Sequence, residues 1–469
     1  MNISNKKMLV FCLIFILVGS SILPVINSES VSNSDVKTEG NGDICDLLII
    51  SPSKFLRFLK PLVDHKERYG VRTSLVSLDY IYKKIYYGHD NAEKIKLFIK
   101  DAYDNSGIKY VMLVGGKIGQ TNRWHLPPRY AYTGNNWDKQ ILSDLYYADI
   151  YDSEGNFSSW DSDGDNKYSE WFTSGQPEDR YIDLHPDVAI GRLACRNFLE
   201  VIIMVRKIIN YEKTAYEKPW FKKVIAVAGD TYPEYKNPNW TGYEGEYYAD
   251  MIIENLTGFE PTRLYTSLGT YEGWKDLIDP VSQGCGFLYF GGHGSAISWT
   301  NHFPNDKNRT ESFTVYKMFR LRNKDKLPIC VVGGCHNAQY DVSIFKSLNK
   351  TLKNRGEGVF ECWAWVMTRK IGGGAIATIG EAALGFTKED KDSFDGGKDI
   401  CELEFFTQIG QNNVDILGEA WQKAISYYVN RYPIDWEGEV PHDSWIDLQI
   451  IQTWTLLGDP SLKIGGYPN

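Results

Sequence analysis

The amino-acid sequence predicts an α/β protein made of two three-layer α/β/α subdomains on mostly parallel sheets. Three observations carry this expectation. Short apolar runs recur at residues 46–51, 110–116, 287–293 and 329–335, the last three closing on glycine pairs, and they have the length and character of buried strands. Segments with helical spacing of apolar residues alternate with them, the rhythm of parallel sheets covered by helices. The chain has 469 residues, more than one small core holds, so two or three domains are expected.

Residues 1–28 have the pattern of a secretory signal peptide. Lys6 and Lys7 precede an apolar core over 8–18, and Gly19, Ser20 and Ser21 follow. No Ala-x-Ala cleavage motif is present, which leaves an uncleaved signal anchor open. Beyond it no stretch reaches the ~18 apolar residues of a membrane span. Residues 29–45 form a flexible leader rich in Ser, Asn, Asp and Gly. Residues 46–51 are the first strand. Residues 54–69 place Phe55, Phe58, Leu59 and Leu62 on one helical face, and Gly70 ends that helix. A strand over 71–78, a helix over 91–105 ending near Gly107, and a strand over 110–116 complete a β-α-β-α-β unit. The Gly115-Gly116 exit is not followed by the dinucleotide fingerprint.

Residues 142–171 break the rhythm. Asp161, Asp163 and Asp165 match positions 1, 3 and 5 of a calcium loop, where oxygen ligands converge on a hard cation. Asn166 stands where such loops have glycine, and Asn tolerates the left-handed backbone. Position 12 is Phe172, so Glu170 would have to replace the usual bidentate carboxylate, with Asp144 and Asp149 as further upstream ligands. A solvated acidic turn is the alternative. A strand over 187–192 and a helix over 197–213, with Val201, Met204, Val205, Ile208 and Ile209 on one face, close the first subdomain. A boundary at 215–219 separates it, residues 46–217, from the second, residues 218–469. The second has strands at 223–230, 287–293, 329–335 and 374–380. Helices are expected near 243–256, 358–370 and 416–430.

A net charge of −9 and a pI near 5.5 exclude a general nucleic-acid binder, which carries a basic field. Hydrophobic residues make up 43%, enough to bury substantial cores. Of eight cysteines, Cys12 leaves with the signal, and an odd remainder in an exported protein implies at least one free thiol. Cys330 lies inside an apolar run and reads as packed. Sequons at Asn156, Asn239, Asn255, Asn308 and Asn349 suit an exported surface.

The chemistry concentrates between residues 286 and 340. One run ends in Gly291-Gly292-His293-Gly294-Ser295, the other in Gly333-Gly334-Cys335-His336-Asn337. Ligands of open parallel sheets bind beyond the carboxyl ends of the strands, so His293 and Cys335 are expected at the mouth of one crevice. A thiol beside an imidazole is the minimal equipment of a cysteine nucleophile. Glycines before Cys335 allow the thiol to be exposed, although a buried strand-end cysteine is the plain alternative. Gly294 and Cys335 are the candidate N–H donors of an oxyanion hole. His336 ranks below His293 because adjacent residues do not face each other. Asp187, at the start of its strand, is a candidate to orient the imidazole, and a plain strand-start carboxylate is the alternative.

These segments resemble the gingipain-type cysteine peptidases, which share a clan with caspases, legumains and separase. The clan's mark is an apolar strand ending in His-Gly and a later one ending in a small residue and Cys. Residues 288–295 and 329–335 fit it, with His293 and Cys335 separated by 42 positions. Residues 47–52, 143–149, 161–170, 187–192 and 457–462 also look like family segments, so the resemblance covers about residues 46–464. It implies a second subdomain that is caspase-like, attack by Cys335 on a peptide carbonyl, and proton handling by His293. It also implies a supporting acid near Asp187, structural calcium and no organic cofactor. Protein or peptide substrates and a secreted or cell-surface location follow from it. Unlike some relatives, the chain is expected to lack a β-sandwich or sorting module and to carry at most a short propeptide. The pocket that selects Arg or Lys does not transfer by residue matching. Trp299, Trp363 and Trp365 read as aromatic core rather than as a substrate surface. Two other functions fit the same residues, a non-catalytic surface or binding protein that keeps the fold and a thiol-dependent transpeptidase.

Overall fold

A computed structural model describes residues 44–172, 175–235, 242–304, 306–387, 396–437 and 442–468. The expected signal peptide, the leader up to residue 43 and the Asn239 sequon lie outside them. Strand β1 (Leu47–Ser51) is wholly buried and pairs in parallel with β2 (Thr73–Ser77) and β3 (Tyr110–Val114). The helix Leu56–Arg68 connects β1 to β2, and Gly70 leaves it with a φ of +81°. The chain does not stay extended to residue 78. Ser77 accepts a hydrogen bond from the N–H of Tyr80 and starts the helix Leu78–Lys84, a cap that outweighs the strand pattern. Asp90 caps the helix Asn91–Ser106 in the same way, and Gly107 closes it in the left-handed conformation.

Three short strands then leave the main sheet, β4 (Arg129–Gly134), β5 (Ile141–Ser143) and β6 (Tyr168–Phe172), and form a small sheet of their own. Strand β7 (Ala189–Leu193) returns beside β3, giving a four-stranded parallel sheet of order β2-β1-β3-β7. Asn197 caps the helix Phe198–Thr214, which packs on the helix Leu56–Arg68.

The second sheet has six strands in the order β16-β15-β14-β10-β8-β9. They are β8 (Lys223–Ala228), β9 (Glu260–Tyr265), β10 (Phe287–Gly291), β14 (Ile329–Gly333), β15 (Ala377–Glu381) and β16 (Trp454–Leu457), with β16 alone antiparallel. Between β10 and β14 the chain makes β11 (His293–Ser295), β12 (Ser298–Phe303) and β13 (Asp306–Thr314), a separate antiparallel sheet. Neither β9 nor this small sheet is visible as an apolar run, because both are partly exposed and rich in polar residues. The expected helix at 358–370 shortens to Trp363–Arg369. Trp299, Trp363 and Trp365 are buried, and Trp363 packs edge-on against Phe290 at 5.1 Å.

The two sheets are joined by close backbone contact and buried charge. A Cβ on Gly191 of β7 would lie 2.7 Å from the Gly458 carbonyl oxygen, so only glycine fits there. Lys66 lies between Glu212 (2.7 Å) and Asp459 (2.8 Å), all fully buried. The Lys207 ammonium donates to the carbonyls of Thr368, Lys370 (3.3 Å), Gly373 (3.2 Å) and Ala375 (2.8 Å). Burial pushes its pKa down.

Candidate active site

Strands β10 and β14 are parallel neighbours, and their register places Gly291 opposite Gly333. His293 and Cys335 each follow two residues beyond that pair, so strand pairing alone brings them to the same level at the carboxyl edge of the sheet. Glycine makes the approach possible. A Cβ on Gly294 would fall 2.6 Å from the Cys335 carbonyl oxygen and 2.7 Å from the Gly334 carbonyl carbon. One on Gly334 would fall 2.9 Å from the Gly294 Cα. Asn337 locks the two segments by donating to the carbonyls of Ser295 (2.8 Å) and Ser298 (3.0 Å).

His293 Nε2 lies 2.8 Å from the carbonyl oxygen of Thr231, in the exit of β8. A carbonyl only accepts, so Nε2 carries a proton and donates it to this bond. The ring stands edge-on to Tyr232 and to His302, each at 5.6 Å. Cys335 is half-buried, and its thiol donates to the Gly385 carbonyl at 3.4 Å. Burial pushes this thiol up, while the Gly385 hydrogen bond and the charge of Lys398 pull it down. The resting sulfur therefore keeps its proton until a base removes it.

The seven cysteines among the described residues carry free thiols. Cys195, Cys285, Cys330, Cys362 and Cys401 are fully buried, and burial raises each of their pKa values. Cys45 is half-buried like Cys335, so a glycine turn is not the sole route to a thiol near solvent. Burial pushes Cys45 up to about 11. His336 has a φ of +59° and faces inward, with Nδ1 3.1 Å from Gln339 and Nε2 3.4 Å from Asp138.

Asp187 is not brought to this crevice. Its Oδ2 accepts from the N–H groups of Ile150 (2.7 Å) and Tyr151 (3.0 Å), just before the start of β7. The opposite edge of that sheet faces the segment after Cys335, where Lys117 donates to the Asp341 carbonyl at 2.7 Å. The upstream carboxylates expected as calcium ligands are engaged elsewhere. Asp144 holds the buried Arg192 with bonds of 2.6 and 2.7 Å, and Asp149 accepts from the Trp160 indole at 2.5 Å. Oxygens of Asp161, Asp163 and Asp165 converge to within 4.8 Å of one another. The loop is wound around Asp161, which accepts from the N–H groups of Gly164, Asp165 and Asn166, with Asn166 at a φ of +68°. Glu170 is outside this triad, and Lys167 pairs with both Asp165 and Glu170, each at 2.8 Å. Three converging carboxylate oxygens suit a hard cation.

Sequence reasoning missed Thr231 and the buried residues Glu381, Lys398 and Glu402. The Gly229-Asp230-Thr231 exit of β8 carried a signal, since it repeats the glycine exits of β10 and β14. Lys398 and Glu402 carried none, because they sit on a helix whose partners are remote in sequence.

The fold is that of a solved cysteine proteinase. The crystal structure of the Arg-specific cysteine proteinase gingipain R superimposes with a TM-score of 0.61 at 19% identity, over 91% of this chain and 79% of that one. Gingipain R2 of Porphyromonas gingivalis is 21% identical over 446 residues, 94% of this chain and 48% of the relative. Lys-gingipain of the same organism is 24% identical over 369 residues, 77% of this chain and 17% of the relative. The chain thus spans about half the length of gingipain R2, or less of the longer relative. The model of peptidase family C25 matches residues 41–465, and the chain belongs to that family.

Proposed function

We propose that the chain is an exported cysteine endopeptidase that hydrolyses peptide bonds of proteins or peptides. The observation that supports this reading is the parallel register of β10 and β14, which brings the exits carrying His293 and Cys335 to one edge of the sheet. In this reading His293 Nδ1 takes the Cys335 proton as the sulfur attacks the carbonyl carbon. The N–H groups of Gly294 and Cys335 receive the developing oxyanion. The imidazolium returns the proton to the departing amine, leaving a thioester. Water, deprotonated by Nδ1, then releases the acid and restores the thiol. The Thr231 carbonyl holds the ring throughout and takes the orienting role expected of Asp187.

Asp161, Asp163 and Asp165 are the residues that would hold calcium, and Lys167, which pairs with both Asp165 and Glu170, would have to release Asp165 for it and Glu170 if that residue joined. Calcium there would brace the loop between β5 and β6 and take no part in the chemistry. Export rests on the signal-like pattern of residues 1–28. Among the described residues no helix is long and apolar enough to cross a membrane.

The test is hydrolysis of a mixed peptide library by wild type and Cys335→Ala, with calcium and a reductant present. Cleavage by wild type alone is expected. Equal cleavage by both proteins, or none by either, overturns the reading. Ligated products in the presence of an added amine nucleophile would turn it into a transpeptidase.

A further inference from the structure

We propose that Lys398 is a positioning residue for the nucleophile, its buried ammonium lying behind the Gly333-Gly334-Cys335 turn to favour the thiolate form of Cys335. This inference rests on the reading of Cys335 as nucleophile and adds a group that touches neither substrate nor sulfur.

Two glycines beside the thiol lie against Lys398 and the carboxylate side chains around it. Gly333 lies two residues before Cys335, and a Cβ there would be 3.0 Å from Lys398 Nζ and 2.8 Å from both carboxylate oxygens of Glu402. The Gly385 carbonyl accepts the thiol's hydrogen bond, and a Cβ on Gly385 would be 2.8 Å from Glu381 Cγ and 2.9 Å from Lys398 Cδ. The lysine chain thus passes beneath one neighbour of the sulfur and ends beneath the other. It is almost fully buried at the start of the helix Lys398–Gly410. An interior ammonium is costly to desolvate, so a fold without use for it would place an apolar side chain here. Asp399 holds it at 2.7 Å and Glu402 at 3.5 Å, and the Tyr289 hydroxyl donates to Glu402 at 2.9 Å.

The charges around Cys335 set the sign. Lys398 acts on the thiol as a cation, while Glu381 from β15 and Asp138 from the loop after β4 oppose it. Tyr232 comes from the exit of β8, His293 from β11, His336 from the turn after β14, and Asp399 and Glu402 from the lysine's own helix. Burial pushes Glu381 up to about 8 and Glu402 up to about 7. Near neutrality a large share of both is protonated, and the ammonium is offset mainly by Asp399. At higher pH both carboxyls ionise and the cluster turns against the thiolate. The proton leaves sulfur for His293 or solvent, its electron pair stays on sulfur, and Lys398 keeps its own protons.

The test is the pH dependence of iodoacetamide alkylation at Cys335 in the full chain, with Cys335→Ala as background. Lys398→Met is expected to slow alkylation at pH 7 about tenfold, one pKa unit of thiolate. Lys398→Arg should keep the wild-type profile. Glu402→Gln should move the midpoint the opposite way, to lower pH, whereas a merely structural cluster would be damaged alike by both changes. An unchanged midpoint in folded Lys398→Met, or shifts of one sign in Lys398→Met and Glu402→Gln, overturns the proposal. If Lys398→Met does not fold, Glu402→Gln decides, and a midpoint that stays or rises overturns it. These shifts are read without peptide cleavage. A shifted midpoint in a protein that cleaves nothing sinks the peptidase reading alone, and an unshifted one in an active peptidase sinks only the role of Lys398.

Discussion

Gly294 and Gly334 meet across the crevice so closely that a methyl group on Gly334 would stand 2.9 Å from the Gly294 Cα. The contact joins the segment carrying His293 to the one carrying Cys335. Gly334→Ala is therefore expected to spread the two apart. Overpacking of this kind costs about 1–3 kcal/mol in stability, and a displacement of 1 Å at reacting groups costs about 100-fold in rate. Thermal unfolding and kcat/KM on a peptide substrate should show a rate loss well beyond the stability loss. A variant with wild-type kcat/KM would refute the tight-contact argument.

Glu381 predicts a pH dependence of stability. Its folded pKa of about 8 lies above its ordinary value because burial disfavours the charged carboxylate. The folded state then binds more protons than the unfolded one between roughly pH 4.5 and 8, so stability falls as pH rises through that window. Glu381→Gln removes this contribution. Denaturant midpoints measured from pH 5 to pH 8 should decline less steeply in the variant, and a steeper decline would count against the assignment.

The acidic loop predicts stabilisation by calcium. A cation bound only by the folded state raises stability by about 2.7 kcal/mol at 100 times its dissociation constant. Asp161 is the hub, since it accepts three loop N–H groups and also belongs to the converging triad. Wild type should melt higher in calcium than in chelator, and Asp161→Asn should lose most of that difference. Glu170→Gln should lose little, because Glu170 is not among the three converging carboxylates.

Lys207 predicts a loss of stability from a single buried side chain. Its ammonium donates to four carbonyls in the turn that leads into β15. Lys207→Met leaves these acceptors without their shared donor, at about 1–3 kcal/mol per unsatisfied buried group. Urea unfolding should register a loss of that order, and an unchanged midpoint would show that water replaces the ammonium at no cost.

What the sequence by itself determined is local. Apolar runs such as those of β1, β3, β10 and β14 are legible because a strand buried on both faces must be apolar along its length. Glycine exits mark where β3, β10 and β14 end, which sets the expectation of His293 and Cys335 at one sheet edge. The Asp161 loop was legible for a similar reason, since its oxygens are spaced along one turn of chain. The tertiary structure decided everything that depends on partners remote in sequence. It gave Thr231, from the neighbouring β8, the contact to His293 that Asp187 was expected to make. It set Lys398 and Glu402 behind Cys335, from a helix more than sixty positions away. It tied Asp144 to Arg192 and Asp149 to Trp160. A buried charge is defined by what surrounds it, and its surroundings are assembled only when the sheets close.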